Sequence, residues 1–413
     1  MKVIHLSYYD ILGGAARAAY RTHTSLLHAG VESKMWVNRA FSNDPNVETS
    51  LKLGIRFPYL LRRLFVFPFV NLLKTRNPII HSPSILPSQW LQKINDSDAD
   101  LIHLHWIQNE MLSIADIEKI KKPLVWTLHD MWGFCGAEHY AEDKRWENGY
   151  HKNNRPKYES GFDLNLWTWK RKFKNWHKPK QIVTPSTWLS GCVSKSALMH
   201  RWPVVTIPNP LDTTRWRPYD TFLSRKKFEF PEDKSIILFG SMGGGDEPRK
   251  GLDLLLDALE LYSKRKDSKD LELIIFGLNL SLPRQPSFKI RQIGKFDKDD
   301  DLSILYSAAD ILAAPSRQEV FGQTASEAHA CGTPVISFRI GGLVDIIEHK
   351  STGYLANAFD IKDLAKGIAW LLDKNNLAYT SKNARSRAVS KFSESVVAEQ
   401  LKSLYELKIK SSS

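Results

Sequence analysis

SRQEVFGQTASEAHACGTPVISFRIGG, residues 316–342, follows the apolar run DILAAPS (310–316). The run reads as a strand ending at Ser316, with a loop to Gly322 and a helix opening near Gln323 or Thr324. This puts Glu319 in the loop and Glu327 in the first helical turn, both near the strand's C-terminal edge. A helix start leaves backbone N–H groups free to bind phosphate oxygens. Gly322 allows the backbone to approach a ligand closely. Each carboxylate accepts two hydrogen bonds at once and so suits a vicinal diol, on ribose or on a sugar. Read as local features alone, Glu327 would do no more than favour the helix dipole, and Glu319 would be a surface loop residue.

Outward from this stretch, short β-branched runs alternate with helical patterns in both halves, as in parallel α/β architecture. KVIHLSY (2–8), SKMWVN (33–38), ADLIHLHW (99–106), PLVWTLHD (123–130) and QIVTPS (181–186) read as strands of the first half. SIILFGS (235–241), LELIIFG (271–277), IRQIG (290–294), DILAAPS (310–316) and TPVISF (333–338) are their counterparts in the second. Residues 13–30 read as a loop and helix closed by Gly30. Residues 134–165 show no period and read as a long functional loop. IPNPLDTTRWRP (207–218) connects the halves, its prolines breaking regular structure. Two nucleotide-fold-like domains in tandem suggest a ligand held between them, at the carboxyl ends of strands.

Composition narrows the classes. The chain has 413 residues, enough for two domains, with a hydrophobic share of 42% and a charged share of 25% that argue against disorder. Three separated cysteines, Cys135, Cys192 and Cys331, form no CxxC pair, so neither a disulfide framework nor a zinc site is expected. The N-terminal segment lacks signal-peptide features and the longest apolar stretch is too short to span a bilayer, so a cytoplasmic protein is expected. No GxGxxG follows either domain's first strand, which argues against a dehydrogenase.

The formal charge of +13 is unevenly placed. Residues 1–205 carry +11 and the remainder +2, and 12 of the 13 tryptophans precede residue 217. Such a balance raises nucleic acid, a membrane surface or phosphorylated substrates as partners. In residues 55–77, Arg56, Arg62, Arg63, Lys74 and Arg76 flank apolar and aromatic residues. That segment suits a membrane interface with anionic lipid, or a core-packing helix with solvated ends. LWTWKRKFKNWHKPK (166–180) suits either nucleic-acid stacking or an amphipathic helix whose Trp face packs inward.

Glu319-x-Phe321-Gly322 with Glu327, then Ala-x-Ala-Cys-Gly-Thr-Pro-Val (328–335) and Gly341-Gly342, resembles the retaining glycosyltransferases of family 4. YSAADILAAPS (306–316), TGYLA (352–356), TPSTWL (184–189) and IPNPLD (207–212) extend the resemblance over nearly the whole chain. It implies a GT-B fold, two Rossmann-like α/β domains facing each other across a cleft. The expected divisions are an acceptor-side domain at 1–208, a donor-binding domain at 209–388, and a C-terminal helix at 389–413 packing back on the first domain.

The resemblance also implies roles. Glu327 would hold the ribose of a nucleotide-sugar donor, and Glu319 the hydroxyls of the donor sugar. Phe321, Gly322 and Gln323 would face the sugar or diphosphate. Arg249 and Lys250 match the family's basic diphosphate contacts, although Ser241 stands where the family often has Arg. Gly13 and Gly14 match its Gly-rich loop, and His129 its active-site histidine beside the donor sugar. His103 and His105 read as cleft-adjacent or packing residues. No DxD stands at a strand end, so neither a metal nor a cofactor is expected. The implied function is retaining, metal-independent transfer of a sugar to a glycan or lipid-linked acceptor. Cell-surface polysaccharide or lipopolysaccharide synthesis is the expected setting, at the inner face of the plasma membrane, with no nucleic acid. Arg62, Arg63 and Lys74 are the membrane-surface candidates. A nucleotide-sugar-binding protein that has lost catalysis is the alternative.

Overall fold

The computed structural model describes residues 1–55, 59–241, 248–265, 268, 270–277 and 286–412. Arg56 and residues 242–247, part of the expected phosphate-contacting stretch, lie outside the described residues. The chain forms two compact units, Met1–Ile207 with Ala398–Ser413, and Pro208–Val397.

The first unit is built on seven parallel strands: β1 Lys2–Tyr9, β2 Glu32–Arg39, β3 Val47–Thr49, β4 Leu101–Leu104, β5 Leu124–Thr127, β6 Gln181–Thr184 and β7 Val204–Thr206. Their spatial order is β3-β2-β1-β4-β5-β6-β7. The central strands are mostly apolar and buried over nearly all their length, as a parallel sheet covered on both faces requires, with buried polar exceptions such as His5, Ser7 and His103. Strand order reverses between β1 and β4, and ligands of such sheets sit at the strand ends there. Two edge strands, β3 and β7, escape sequence reading because three residues are too few to show a period.

Helix α1, Gly14–His28, returns the chain from β1 to β2, and α2, Tyr59–Asn71, follows β3. Helix α3, Leu164–Asn175, carries the basic tryptophan-rich stretch. Trp169 and Trp176 are buried, and so is Lys172 at 0% exposure. The Lys172 ammonium donates to the carbonyls of Trp132, Cys135 (3.1 Å) and Gly136 (2.7 Å), and lies 3.7 Å from the Trp132 ring centroid. A buried cation persists when its N–H groups are bonded, and here the bonds tie the segment after β5 to α3. The long loop holds only short regular elements, a helical turn at Arg145–Asn148, a 3-10 turn at Lys152–Asn154 and the strand Ser160–Gly161, and side chains tie them together. Within it Arg145 pairs with Asp163 at 2.8 Å, Tyr150 donates to Glu138, and Ser160–Gly161 pairs antiparallel with Leu73–Lys74.

The second unit has six parallel strands: β8 Ser235–Ser241, β9 Leu271–Gly277, β10 Lys289–Gln292, β11 Ile311–Ala314, β12 Val335–Phe338 and β13 Gly353–Ala356, in the order β10-β9-β8-β11-β12-β13. Alternation sorts the side chains into two cores. Ile237, Phe239, Leu273 and Ile275 pack on one face with helix α4, Leu252–Ser263. Leu238, Ile274 and Leu312 pack on the other with Tyr306 of α5, Asp299–Ser307, and Ala325 of α6, Gln323–Ala330. Each fully buried side chain of this size contributes about 1.5–3 kcal/mol. Helix α7, Lys374–Phe392, packs on α6 and stays with this unit. Ala398–Ser413, which takes in most of α8, Glu394–Lys410, belongs to the first unit. Its anchor is Tyr405, buried in the first unit against His103.

Candidate functional site

In the second unit the order reverses between β8 and β11, and a small pocket opens at their carboxyl ends. Phe239, Gly240, Ser316, Glu319, Lys250 and Thr324 line it. Pro248–Lys250 forms a single 3-10 turn ahead of α4, and backbone and side chains tie that turn to the loop after β11. Arg317 N–H donates to the Arg249 carbonyl (2.7 Å), Arg249 donates to the Gln318 carbonyl (2.9 Å), and the Arg317 guanidinium grips Asp253 with two bonds of 2.8 and 2.6 Å. The loop therefore presents Glu319 to two cations. Lys250 Nζ donates to Glu319 Oε2 at 2.7 Å, and Arg249 lies 3.8 Å from the same oxygen. Burial would raise the Glu319 pKa, but the Lys250 and Arg249 charges outweigh it and hold the carboxyl below its ordinary value.

Gly322, at φ 101°, is the residue before α6, and Gly341, at φ 52°, has its Cα against the Glu319 backbone. A Cβ on Gly341 would stand 2.1 Å from the Glu319 carbonyl oxygen, so only glycine lets the 339–342 loop pack there. Gly342 N–H in turn donates to that carbonyl at 2.9 Å. Phe321 is buried in the core, edge-on to Phe392, so its side chain anchors the loop and only its backbone is left to serve a ligand. Gln323 is the first residue of α6, and the first turn carries no acidic residue to oppose an anion.

Glu327 is the fifth residue of α6, one turn further in than the sequence suggests, and only 5% exposed. Tyr306 OH donates to its Oε2 at 3.0 Å. In the sequence Tyr306 stands out only as the first residue of the family-like run YSAADILAAPS, which assigns it no role. The second unit thus holds two carboxylates oriented by neighbours, a pair of cations, and an open helix start. The set matches the hydroxyls and diphosphate of a nucleotide sugar in kind.

In the first unit Gly13, at φ 91°, precedes α1, and Gly13 and Gly14 are exposed at a helix start free of acidic residues. Asp10, fully buried, fixes the turn before them. Its carboxylate accepts from the backbone N–H groups of Ile11 (2.8 Å), Phe41 (2.9 Å) and Ser42 (2.8 Å). Nothing in the sequence singles out Asp10, since its partners Phe41 and Ser42 lie some thirty residues away.

His129 follows β5 and is half-buried, with His105 Nδ1 3.0 Å from its Nε2. Burial lowers its pKa to about 4, so the ring is neutral near pH 7. The next residue, Asp130, is clamped by Trp106 Nε1 (2.9 Å), His139 Nδ1 (2.6 Å) and Trp132 N–H (2.9 Å). His103 and His105 are wholly buried in the sheet's packing.

Arg62 requires a correction. It is 8% exposed, and its guanidinium donates to the carbonyls of Glu110 (2.7 Å), Pro87 (2.8 Å) and Leu86 (2.6 Å). A guanidinium committed to three carbonyls holds loops together and does not face a membrane. Arg63 and Lys74 are exposed. Helix α2 is turned the other way from an ordinary surface helix. Arg62 and Val66 face inward, while Leu64 (64%), Phe65 (63%), Phe67 (62%) and Phe69 (46%) are exposed. No helix among the described residues is long and apolar enough to cross a membrane.

Two family models match the chain in succession, Glycosyltransferase Family 4 over residues 12–215 and Glycosyl transferases group 1 over residues 220–387. A D-inositol 3-phosphate glycosyltransferase 2 of Catenulispora acidiphila is 33% identical over 217 residues, 49% of this chain and 50% of that protein. The phosphatidyl-myo-inositol mannosyltransferase of Mycobacterium leprae is 26% identical over 341 residues, 80% of this chain and 78% of that one. The chain spans about half the length of the D-inositol 3-phosphate glycosyltransferases it matches. Among solved structures, Anabaena HepE in complex with UDP-glucose aligns with a TM-score of 0.65 and 17% identity, covering 98% of this chain and 99% of that one. Two parallel-sheet units, tandem family models over most of the chain, and the shared fold lead to one assignment: the chain belongs to the family 4 glycosyltransferases of GT-B fold.

Proposed function

We propose that this protein is a retaining glycosyltransferase that moves a sugar from a nucleoside-diphosphate sugar to a glycan or lipid-linked acceptor in cell-surface polysaccharide synthesis. The observation that carries the reading is the coupled set at the β8–β11 strand ends. Glu319 is held by Lys250 and Arg249, and Glu327 is held by Tyr306 beside an open helix start. Glu327 takes the ribose hydroxyls, Glu319 the hydroxyls of the transferred sugar, and the Gly322–Gln323 backbone the diphosphate. Within the first unit, His129 and the Gly13–Gly14 loop are the candidate substrate contacts. HepE is a structural neighbour solved with UDP-glucose, which makes a uridine nucleotide the first donor to try.

Transfer breaks the bond between the anomeric carbon and the diphosphate oxygen, and forms one from the acceptor oxygen to that carbon. The acceptor attacks from the face that the diphosphate leaves and passes its proton to that departing group, so configuration is kept without a protein nucleophile. The transition state is oxocarbenium-like, with negative charge growing on the leaving group. Arg249, Lys250 and the α6 N–H groups meet that charge in fixed positions, and each such donor removed costs about a hundredfold or more in rate. This reading requires no divalent cation.

The exposed apolar side of α2, flanked by Arg63 and Lys74, is the surface through which the protein engages an anionic membrane carrying a lipid-linked acceptor. It works at the cytoplasmic face.

Thermal stabilisation by a panel of UDP-, GDP- and ADP-sugars, followed by NMR of the product's anomeric proton, tests the reading. One donor class should raise the melting temperature, and the product should keep the donor's configuration with EDTA present. Inverted product, or activity abolished by EDTA and restored by Mn²⁺, would remove the mechanism. Binding with neither transfer nor donor hydrolysis would leave a non-catalytic nucleotide-sugar binder.

A further inference from the structure

Strand alternation puts the side chains of His5 on β1, His103 on β4 and Thr127 on β5 on one face of the first unit's sheet, and continues it through His105 and His129 just beyond the strand ends. The register pairs His5 with His103 and His103 with Val125, so these residues lie side by side across three strands. Two hydrogen bonds run in series along that face. His5 Nδ1 is 3.0 Å from His105 Nε2, and His105 Nδ1 is 3.0 Å from His129 Nε2. His105 stacks on His129 with ring centroids 5.3 Å apart, and His103 lies 4.2 Å from His105, centroid to centroid.

A neutral imidazole carries one N–H and one lone pair. In a column of three such rings the protons can therefore point in either of two directions, and both bonds must reverse together. If they point outward, His5 Nδ1–H donates to His105, His105 Nδ1–H donates to His129, and the His129 proton rests on Nδ1. If they point inward, His129 Nδ1 carries a lone pair and the last proton falls on His5 Nε2. That atom is buried and has no hydrogen-bond partner among the described residues. An orphaned buried N–H is rarer and worse tolerated than an under-used acceptor, so the outward direction is favoured.

The rest of the surroundings keep the column neutral. His23 lies edge-on to His5 at 5.9 Å, is bonded to Ser33 Oγ at 2.7 Å, and stands 3.8 Å from Asp44. Asp130 adjoins His129 but is engaged by Trp106, Trp132 and His139. Tyr405 of α8 bonds His103 Nδ1 at 2.6 Å, and Thr127 bonds His103 Nε2 at 2.7 Å. Burial lowers His5, His105, His103 and His129 alike, so none is charged near pH 7. His5, His103 and His105 bring ring nitrogens within 4.8 Å of one another, close enough to suggest a metal site. Both nitrogens of His103 and both of His105 already serve hydrogen bonds, however, and ligation would break several of them.

We propose that His5 and His105 are positioning residues that hold His129 in its Nδ1–H tautomer, so that His129 offers a donor, not a lone pair, to a substrate oxygen. The substrate contact rests on the proposed role of His129; the tautomer does not.

Ring-¹⁵N NMR of the full chain, with His129 assigned through His129→Gln, tests the tautomer without any activity measurement. At pH 7.5 His129 should show a pyrrole-type Nδ1 and a pyridine-type Nε2. In His105→Gln or His5→Asn the His129 signals should move toward a mixture of both tautomers. A native Nε2–H tautomer, or signals unchanged in both variants, would overturn the proposal, as would Zn²⁺ binding that shifts His5, His103 and His105 together. In kinetics, His105→Gln should lower kcat by at least about tenfold with donor KM changed less than about twofold, as expected when a ring loses its orienting partner. Full activity in His129→Ala would instead remove the substrate role of His129 while leaving the NMR result standing.

Discussion

Lys250 Nζ donates to Glu319 Oε2 at 2.7 Å, with the Arg249 guanidinium 3.8 Å from the same oxygen. A candidate sugar ligand and two candidate phosphate ligands are thereby locked together on one edge of the second unit's sheet. The pair is partly buried, with side chains 25% and 15% exposed, so removing one member leaves a carboxylate or an ammonium under-compensated. Lys250→Met should weaken nucleotide-sugar binding by at least about tenfold, the loss of one charge-assisted contact. It should also lower the melting temperature. Lys250→Met with Glu319→Gln should recover that stability but not the binding. Calorimetry and melts on all four forms give the coupling, and a double variant as unstable as Lys250→Met alone counts against the pair.

Glu327 is held by the Tyr306 hydroxyl at 3.0 Å inside a buried environment. Glu327→Gln should weaken the donor by about tenfold or more, since a charged acceptor of two hydroxyls is replaced by a neutral amide. Tyr306→Phe should cost less, because the carboxylate stays and only its orientation loosens. Titration calorimetry with the stabilising nucleotide sugar reads both. Equal donor affinity in native and Glu327→Gln proteins would sink the ribose role.

Buried histidines set the acid limb of stability. Burial lowers His103 to about 3 and His129 to about 4 from 6.5. Between those values the unfolded chain binds more protons than the folded one, so stability is full above about pH 6.5 and falls as pH drops toward 4. Each such ring contributes a slope of at most about 1.4 kcal/mol per pH unit. Melts from pH 7.5 to 4.5 should show the midpoint falling through this window, less steeply in His103→Gln. A midpoint independent of pH across it would contradict the neutral column.

Helix α2 separates two roles that charge alone had merged. Arg62→Ala should unfold the protein more easily, by about 3 kcal/mol, because three carbonyls lose a charged donor in a buried site. Phe65→Ser with Phe67→Ser should leave stability nearly unchanged, both being exposed, yet reduce co-sedimentation with anionic vesicles several-fold. Arg63→Gln with Lys74→Gln should reduce it most at low salt. Equal sedimentation of native protein with neutral and anionic vesicles, at every salt, would remove the membrane surface.

Much of the fold is written locally. The strands whose apolar runs exceed four residues, the Gly322–Gln323 helix start, and the Glu319–Glu327 spacing can be read because each depends on neighbours in the chain. The same holds for the family resemblance, which rests on residues 306–356 almost without interruption. Strands of three residues, β3 and β7, leave no period to read, and the segment from 134 to 165 looks shapeless because its order comes from Lys172, Arg145 and Tyr150 reaching across it.

The partners that orient the site lie further off. Tyr306 is 21 residues from Glu327, Lys250 is 69 from Glu319, and His5 is 100 from His105. By itself the sequence determined a tandem parallel α/β architecture, the identity of the carboxylates and cations, and an excess of charge in the first half. Only the tertiary structure decided which cation meets Glu319, that Arg62 is an internal brace, and that the histidines form a column. The reason is physical: backbone propensity and side-chain period act over a few residues, whereas burial and hydrogen-bond pairing are set by strand register, and register brings together residues that the chain keeps far apart.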